Sequence, residues 1–191
     1  MRPHHAWLLI CILFVFGSCR HIEKSDPTEV AQAYYSILTA GDLSTSYEIL
    51  SDPWETVELP SNYTESWNSE KFKHWLAWDS VFDPSYGVEM NAVTDSTVTY
   101  QVTKMDSRIA FLHDTPMVYN EKLFITDGKI SRIERDYEQF DVERFVMRRD
   151  KLVSWVTENY PELGAFIIDQ SESGGQRYLQ AISLYRAAHD Q

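Results

Sequence analysis

Cysteine is scarce in this chain, and its scarcity limits both crosslinking and metal chemistry. The sequence of 191 residues contains 2 cysteines, Cys11 and Cys19, and both stand close to the N-terminus. The remainder of the chain therefore forms no internal disulfide and offers no thiolates to zinc. His74 and His113 have no other ligand type at a suitable spacing. We expect no metal site and no cofactor.

Positive charge is also in short supply. The chain has 17 lysines and arginines against 29 aspartates and glutamates, which gives a formal net charge of -12. Nucleic-acid phosphates and anionic lipid headgroups both require basic protein surfaces. The composition therefore excludes nucleic acid as a partner and disfavours electrostatic adhesion to lipid. A glycine-rich phosphate loop and a nucleophile elbow are missing as well.

One unbroken apolar run, residues 6–16, stands at the start of the sequence. At about 11 residues it is shorter than the roughly 20 that span a bilayer, and it is typical of an export signal. The following Phe16-Gly17-Ser18-Cys19 resembles a bacterial lipoprotein processing site, in which the cysteine is acylated and becomes the new N-terminus. Phe16 replaces the usual leucine, as it does in some Gram-negative groups. The alternative is a secretory signal that is cleaved nearby.

This N-terminal pattern predicts where the protein is found. We expect a lipoprotein signal peptide over residues 1–18 and a polar tether over residues 19–26. The protein would then lie in the cell envelope of a Gram-negative bacterium, anchored to a membrane by lipid on Cys19 and facing the periplasm or the exterior. Several acyl chains hold such a protein stably, at about 0.8 kcal/mol per buried methylene.

Three β-rich runs form the centre of the predicted domain: residues 98–104, 115–126 and 130–137. Asp127-Gly128 separates the last two, and this dipeptide is a strong hairpin signal because both residues tolerate positive φ. Side chains alternate along a strand, so one face of the middle run carries Met117, Tyr119, Glu121, Leu123 and Ile125. We predict that this face is buried. Glu121 is its one charged member.

Helical periodicity flanks these strands. A capping box at residues 26–29 begins a helix that ends at Gly41, and a further helix begins at Ser69. Asp79 falls within the apolar stripe of the second of these helices. Two more helices are predicted in the C-terminal part. Strands are also expected at residues 54–59 and 86–94, with a polar loop at residues 60–68.

This order of elements predicts the fold class and the division of the chain. Helices followed by a run of strands indicate an α+β domain, in which a curved antiparallel sheet wraps on helices. We place this domain at residues 27–139. A C-terminal extension of two helices follows at residues 140–191, and its apolar stripe is expected to dock on the domain or to close a dimer.

Three short segments carry a resemblance to a known superfamily. Residues 34–43 (YYSILTAGDL), 56–60 (TVELP) and 127–130 (DGKI) resemble nuclear transport factor 2-like proteins, which include ketosteroid isomerases and SnoaL-like polyketide cyclases. The resemblance covers about residues 27–139 and implies a cone with a pocket at its wide end. Relatives often dimerise through the open sheet face, so a homodimer is a further expectation. The fold hosts enzymes and binding modules alike.

The resemblance also implies roles for individual residues. Tyr34 falls on the tyrosine that donates a hydrogen bond to the oxyanion in ketosteroid isomerases, and Glu121 falls on its carboxylic acid partner. The catalytic base would fall on Leu59, which cannot accept a proton. Glu58 stands beside it and is expected to point to the opposite face. Asp79 could replace the base only by reaching the same cavity.

We therefore predict a pocket lined by Tyr34, Trp75, Asp79, Tyr119 and Glu121. In apolar surroundings burial favours the neutral form of Glu121, which can donate a hydrogen bond. Other outcomes stay open at this point. Tyr34 can be a core tyrosine with a satisfied hydroxyl, and Glu121 can pair with a basic neighbour such as Arg132.

The sequence supports two hypotheses of function. The first is a non-catalytic, membrane-tethered lipoprotein that binds a small, partly apolar ligand or serves as an interaction platform. The alternative is an isomerase or cyclase that acts on a carbonyl compound through Tyr34, Glu121 and Asp79. A proton acceptor inside the same cavity would discriminate in favour of the enzyme. A pocket filled by side chains would leave only an assembly role.

Overall fold

The computed structural model describes residues 25–42, 46–59, 61–137 and 140–189. The predicted signal peptide and Cys19 lie outside the described residues. The strands are β1 (Leu50–Leu59), β2 (Tyr63–Trp67), β3 (Ser85–Val93), β4 (Thr97–Met105), β5 (Met117–Thr126) and β6 (Lys129–Asp136). The helices are α1 (Pro27–Ala40), α2 (Ser46–Ile49), α3 (Ser69–Ser80), α4 (Ser107–Leu112), α5 (Val142–Asn159) and α6 (Glu172–His189), with a 3-10 turn at Pro161–Leu163.

The strands form one sheet in the order β2-β1-β6-β5-β4-β3. This mixed α+β architecture with a curved, open sheet confirms the predicted fold class. Register shifts in β1, β3 and the β5–β6 ladder introduce bulges, which bend a sheet. The predicted sheet is antiparallel throughout. One pairing differs from this prediction, because β1 and β6 run parallel. These two strands are far apart in the chain, so no hairpin fixes their relative direction.

The predicted polar loop at residues 60–68 is wrong, because most of it is strand β2. This strand pairs with β1 at the edge of the sheet. Only Trp67 among its residues is buried. An edge strand with one buried side chain gives almost no alternation in the sequence, so its polar composition was misleading.

Inward-facing side chains change from apolar to polar along the strands. Val98, Leu123 and Ile133 stand side by side across β4, β5 and β6, and all three are fully buried. Further along the same face, β4 presents Lys104 and β6 presents Arg135. The sheet therefore has an apolar end that forms the core and a polar end that opens into a cavity.

Two helices cover the inner face of the sheet. Helix α1 begins at the predicted cap, where the Asp26 carboxylate accepts a hydrogen bond from the Thr28 backbone, and it ends at Gly41 in the left-handed region. Helix α3 buries Phe72, Leu76 and Asp79, which confirms that Asp79 lies within the apolar stripe.

The C-terminal helices pack on the domain and complete a second core, which confirms the docking alternative. Its members come from α3 and the turn after it, from α4, α5 and α6, and from the loop before α6: Trp78, Phe82, Leu112, Leu152, Phe166 and Tyr178, among others. Gly175 lets α6 approach α3 closely, since a Cβ at this position would lie 3.1 Å from the Trp78 carbonyl oxygen. Of the helices in the described part of the chain, none is both long and apolar enough to cross a membrane.

Candidate functional site

A cavity of about 260 Å³ lies at the polar end of the sheet. All six strands contribute to its wall, α3 closes one side, and Gln170 from the loop before α6 reaches its edge. Aromatic rings form much of the lining, namely Trp67, Trp75, Trp78, Tyr86, Tyr119 and Tyr137. The charged members are Glu58, Glu65, Asp79, Lys104, Arg108 and Arg135.

The five predicted pocket residues divide into two groups. Trp75, Asp79 and Tyr119 line the cavity. Tyr34 and Glu121 lie behind its wall, with 0% and 1% of their surface exposed. The structure joins these two residues through a third side chain, since Arg135 donates to the Tyr34 hydroxyl at 3.3 Å and to Glu121 at 2.6 Å.

Glu121 is held as one half of a buried ion pair. One carboxylate oxygen accepts from Arg135 Nε, and the other accepts from the Tyr35 hydroxyl at 2.6 Å. The hydrogen bond that Glu121 was expected to donate to a ligand does not match this geometry, because Arg135 and Tyr35 already bind its two carboxylate oxygens. Arg132 is also the wrong partner, since it pairs with Glu134. Burial, and then the nearby Glu121 carboxylate, raise the pKa of Tyr34, so this hydroxyl stays protonated.

Glu58 lines the cavity, so the expectation that it points to the opposite face is wrong. In the parallel β1–β6 ladder its partner is Arg135, and partners in a ladder face the same side. Arg135 Nη1 lies 3.8 Å from the Glu58 carboxylate. The Tyr137 hydroxyl donates a hydrogen bond to the same carboxylate. Burial raises the pKa of Glu58 above its ordinary value, although Arg135 and the Tyr137 hydrogen bond oppose the shift.

The position of Glu58 could have been found from its own strand. Trp54, Thr56 and Glu58 share one face under period-two alternation. Trp54 is buried, and Thr56 lines the cavity beside Glu58. A buried tryptophan four residues before the glutamate was therefore the local signal that Glu58 faces inward.

Asp79 belongs to a second polar cluster on the other side of the cavity. Lys104 Nζ donates to one carboxylate oxygen at 2.5 Å, and the Tyr86 hydroxyl donates to the other at 2.8 Å. Burial lowers the pKa of Lys104, although Asp79 opposes the shift. Sequence reasoning missed Lys104 and Tyr86. The alternation of Val98, Tyr100, Val102 and Lys104 along β4 was the available signal for the lysine.

Each basic side chain in the lining already has an acidic partner. Arg135 pairs with Glu121, Lys104 with Asp79, and Arg108 with Asp106 at 3.1 Å. A charged ligand would have to compete with these pairs. Aromatic faces and hydroxyl groups are the surfaces left to a ligand, and they suit a neutral molecule with an apolar body and one or two polar atoms. Among the residues that the structure describes, His, Cys, Asp and Glu form no cluster suited to a metal ion.

Glu58→Gln is expected to raise the stability of the fold at neutral pH. The pKa of Glu58 in the folded state lies above the unfolded value of 4.5, so ionisation of this carboxyl favours unfolding. The penalty is complete above the folded-state pKa and disappears as the pH falls below 4.5. Thermal unfolding at neutral and acidic pH measures the difference. Glu55→Gln, at an exposed residue of β1, is the control, and a less stable Glu58→Gln at neutral pH would contradict the expectation.

No protein-family model and no curated protein matches the chain. Solved structures do match in shape. A protein from Kribbella flavida assigned as a ketosteroid isomerase is 14% identical, with a TM-score of 0.45 over 57% of this chain and 75% of that one. IdmH from Streptomyces antibioticus, assigned as a polyketide cyclase, is 11% identical, with a TM-score of 0.48 over 65% and 98%. Likenesses this low assign no role to any residue.

Proposed function

We propose that the protein binds a small, partly apolar carbonyl compound in this cavity and transfers a proton on it, with Glu58 as the base. This is the isomerase or cyclase hypothesis, with a different base. The observation that carries it is a carboxylate on the cavity wall whose pKa is raised by burial. The sequence hypothesis asked for a proton acceptor in one cavity with Tyr34 and Glu121; Glu58 lines the cavity, whereas those two residues lie behind its wall.

The surroundings of Glu58 suit a general base. A carboxylate works best as a base when its pKa approaches the working pH, and partial burial moves Glu58 in that direction. Arg135 and Tyr137 hold the side chain in place and keep its ionised form accessible. Glu58 therefore combines a fixed position with a raised affinity for protons.

The rest of the cavity would bind the substrate. Tryptophan faces accommodate an apolar or aromatic body, and the Tyr119 hydroxyl is within the lining to donate to a carbonyl oxygen. Burial raises the pKa of Tyr119 well above its ordinary value, so this hydroxyl remains a protonated donor at physiological pH. Tyr34 and Glu121 lie behind the wall, and their role is to position Arg135.

The location of Tyr34 and Glu121 also favours a second function, which is binding without turnover. In the ketosteroid isomerase pattern this pair contacts the ligand, whereas here Arg135 donates hydrogen bonds to both residues. A cavity that lacks an oxyanion site of that type can still hold the ligand. Proton exchange on a bound carbonyl compound separates the two functions.

Met117→Trp is expected to weaken the binding of a carbonyl probe. Met117 lines the cavity, and an indole in its place would occupy space that the ligand needs. The expected loss in affinity for 4-fluoroacetophenone, observed by ¹⁹F NMR line broadening, is about tenfold or more, equivalent to ~1.4 kcal/mol. Met147→Trp is the matched control, because Met147 is an exposed residue of α5. Equal affinities in the two variants would place the probe outside this cavity.

We further propose that the domain is tethered to a membrane through lipid on Cys19. Cys19→Ser is expected to leave unprocessed precursor that incorporates no radiolabelled palmitate, while the unchanged protein carries label in the membrane fraction. A Cys19→Ser protein that matures normally into a soluble form would overturn the anchor. Cys11→Ser is the control, since this cysteine lies inside the predicted signal. The predicted homodimer stays a prediction.

A further inference from the structure

Lys104 is a buried amine on the cavity wall that proton transfer by Glu58 does not use. Its side chain is 8% exposed. In the sheet it stands between Tyr86 on β3 and Met117 on β5, and all three residues line the cavity. A lysine rarely occupies such a site, because burying its long side chain and its charge is costly.

The groups around the amine come from three elements of the fold. Asp79 from α3 accepts from Nζ at 2.5 Å, and Asp106 lies 3.9 Å away. The rings of Tyr86 and Trp75 lie with their centres 5.0 Å and 5.6 Å from Nζ. The Tyr86 hydroxyl donates to the same Asp79 carboxylate. An amine, a carboxylate and a phenol are therefore joined in one hydrogen-bonded chain at the cavity surface.

We propose that Lys104 is a nucleophile that forms an imine with an aldehyde or ketone bound in the cavity. The inference rests on the proposed function, since it takes the carbonyl compound as the ligand. It adds a covalent role that is independent of Glu58. Buried lysines are suited to Schiff-base formation, because burial favours the neutral, nucleophilic amine.

The reaction balances with the groups present. Asp79 takes a proton from the Lys104 ammonium, and the freed lone pair forms a C–N bond to the carbonyl carbon. The electron pair of the C=O π bond moves onto oxygen, and a second proton then passes from the nitrogen to that oxygen, which gives a neutral carbinolamine. Asp79 then returns the first proton to the hydroxyl, the nitrogen lone pair forms the C=N bond as the C–O bond breaks, and water leaves. Nothing is oxidised or reduced, and the products are a protonated imine and one water molecule.

The charge of the cluster is the same before and after this reaction. The protonated imine takes the place of the ammonium beside the Asp79 carboxylate, so the buried ion pair is retained. Burial lowers the pKa of Lys104, which eases the first proton transfer, and Arg108 acts in the same direction. A protonated imine also draws electrons from the neighbouring carbon more strongly than a carbonyl does, which would assist proton removal by a base.

Reductive trapping tests the proposal in the unmodified protein. Benzaldehyde and sodium cyanoborohydride convert an imine into a stable benzyl amine, and peptide mass spectrometry locates the label. We expect Lys104 to be labelled before Lys71, which is an exposed lysine with a side chain 39% accessible. An excess of 4-fluoroacetophenone should suppress the label on Lys104 and leave that on Lys71 unchanged.

Lys104→Arg is the matched variant, because it keeps a cation beside Asp79 and removes the nucleophile. The label in the cavity should disappear, while Lys71 is labelled as before. Label that is confined to exposed lysines would overturn the proposal that Lys104 forms an imine. If 4-fluoroacetophenone still binds in that case and its methyl protons still exchange through Glu58, the proposed function stands and only the covalent step fails. If the probe does not bind either, both proposals fail.

Discussion

Arg135→Met is expected to lower the free energy of unfolding by about 3–5 kcal/mol, the usual cost of removing one partner from a buried ion pair. The substitution leaves the Glu121 carboxylate, which is 1% exposed, without its cation. It also removes the donor to the Tyr34 hydroxyl. Urea denaturation followed by tryptophan fluorescence measures the change.

Two further variants show whether burial of the pair causes this loss. Arg149→Met removes an arginine that is paired with Asp150 at the surface, and its expected cost is about 0–1 kcal/mol. Adding Glu121→Leu to Arg135→Met removes the stranded charge and should recover much of the stability. If the buried and surface variants lose equal stability, Arg135 does not hold the wall of the cavity together.

Glu58→Gln is expected to slow proton exchange on a bound carbonyl compound by about 10²–10⁴-fold, the usual contribution of a general base. Glutamine keeps the shape of the side chain but cannot accept the proton. Because the base must be ionised, the rate in the unchanged protein should rise with pH through the raised pKa of Glu58 and then level off. A rate that does not depend on pH in this range would exclude Glu58 as the base.

Features set by local sequence were predicted well. The Asp26 cap and the Gly41 terminus bound helix α1 as the sequence indicated. The inward face of β5 is the predicted one. In both cases residues close in the chain decide the outcome, through capping hydrogen bonds and side-chain alternation.

The partner of Glu121 depends on a bulge, which alternation cannot reveal. If side chains alternated regularly along β6, Arg132 would lie on the inner face together with Ile130. The β5–β6 register shifts between Phe124 and Ile125, so Ile130 and Ile133 both face inward although they are three residues apart. The shift turns Arg132 outward, where it pairs with Glu134, and brings Arg135 opposite Glu121.

The candidate base depends on contacts that are distant in sequence. Alternation along β1 turns Glu58 inward, but its neighbour Arg135 comes from the parallel pairing of β1 with β6, and the two residues are 77 positions apart in the sequence (135 minus 58). The motif alone placed the base at Leu59, one residue away. Neighbouring residues of a strand face opposite sides of the sheet, so a difference of one residue decides which of them reaches the cavity. Placing the base at Leu59 removed the proton acceptor and made a non-catalytic protein the first hypothesis.

Deuterium incorporation into the methyl group of 4-fluoroacetophenone, followed by ¹H NMR in deuterated buffer, tests the central claim most directly. The protein, Glu58→Gln and Glu55→Gln would be compared at equal concentration. The account predicts exchange well above the buffer rate for the unchanged protein and for Glu55→Gln, and exchange at the buffer rate for Glu58→Gln. Equal rates in the unchanged protein and Glu58→Gln, or no acceleration over buffer while the probe is bound, would contradict it.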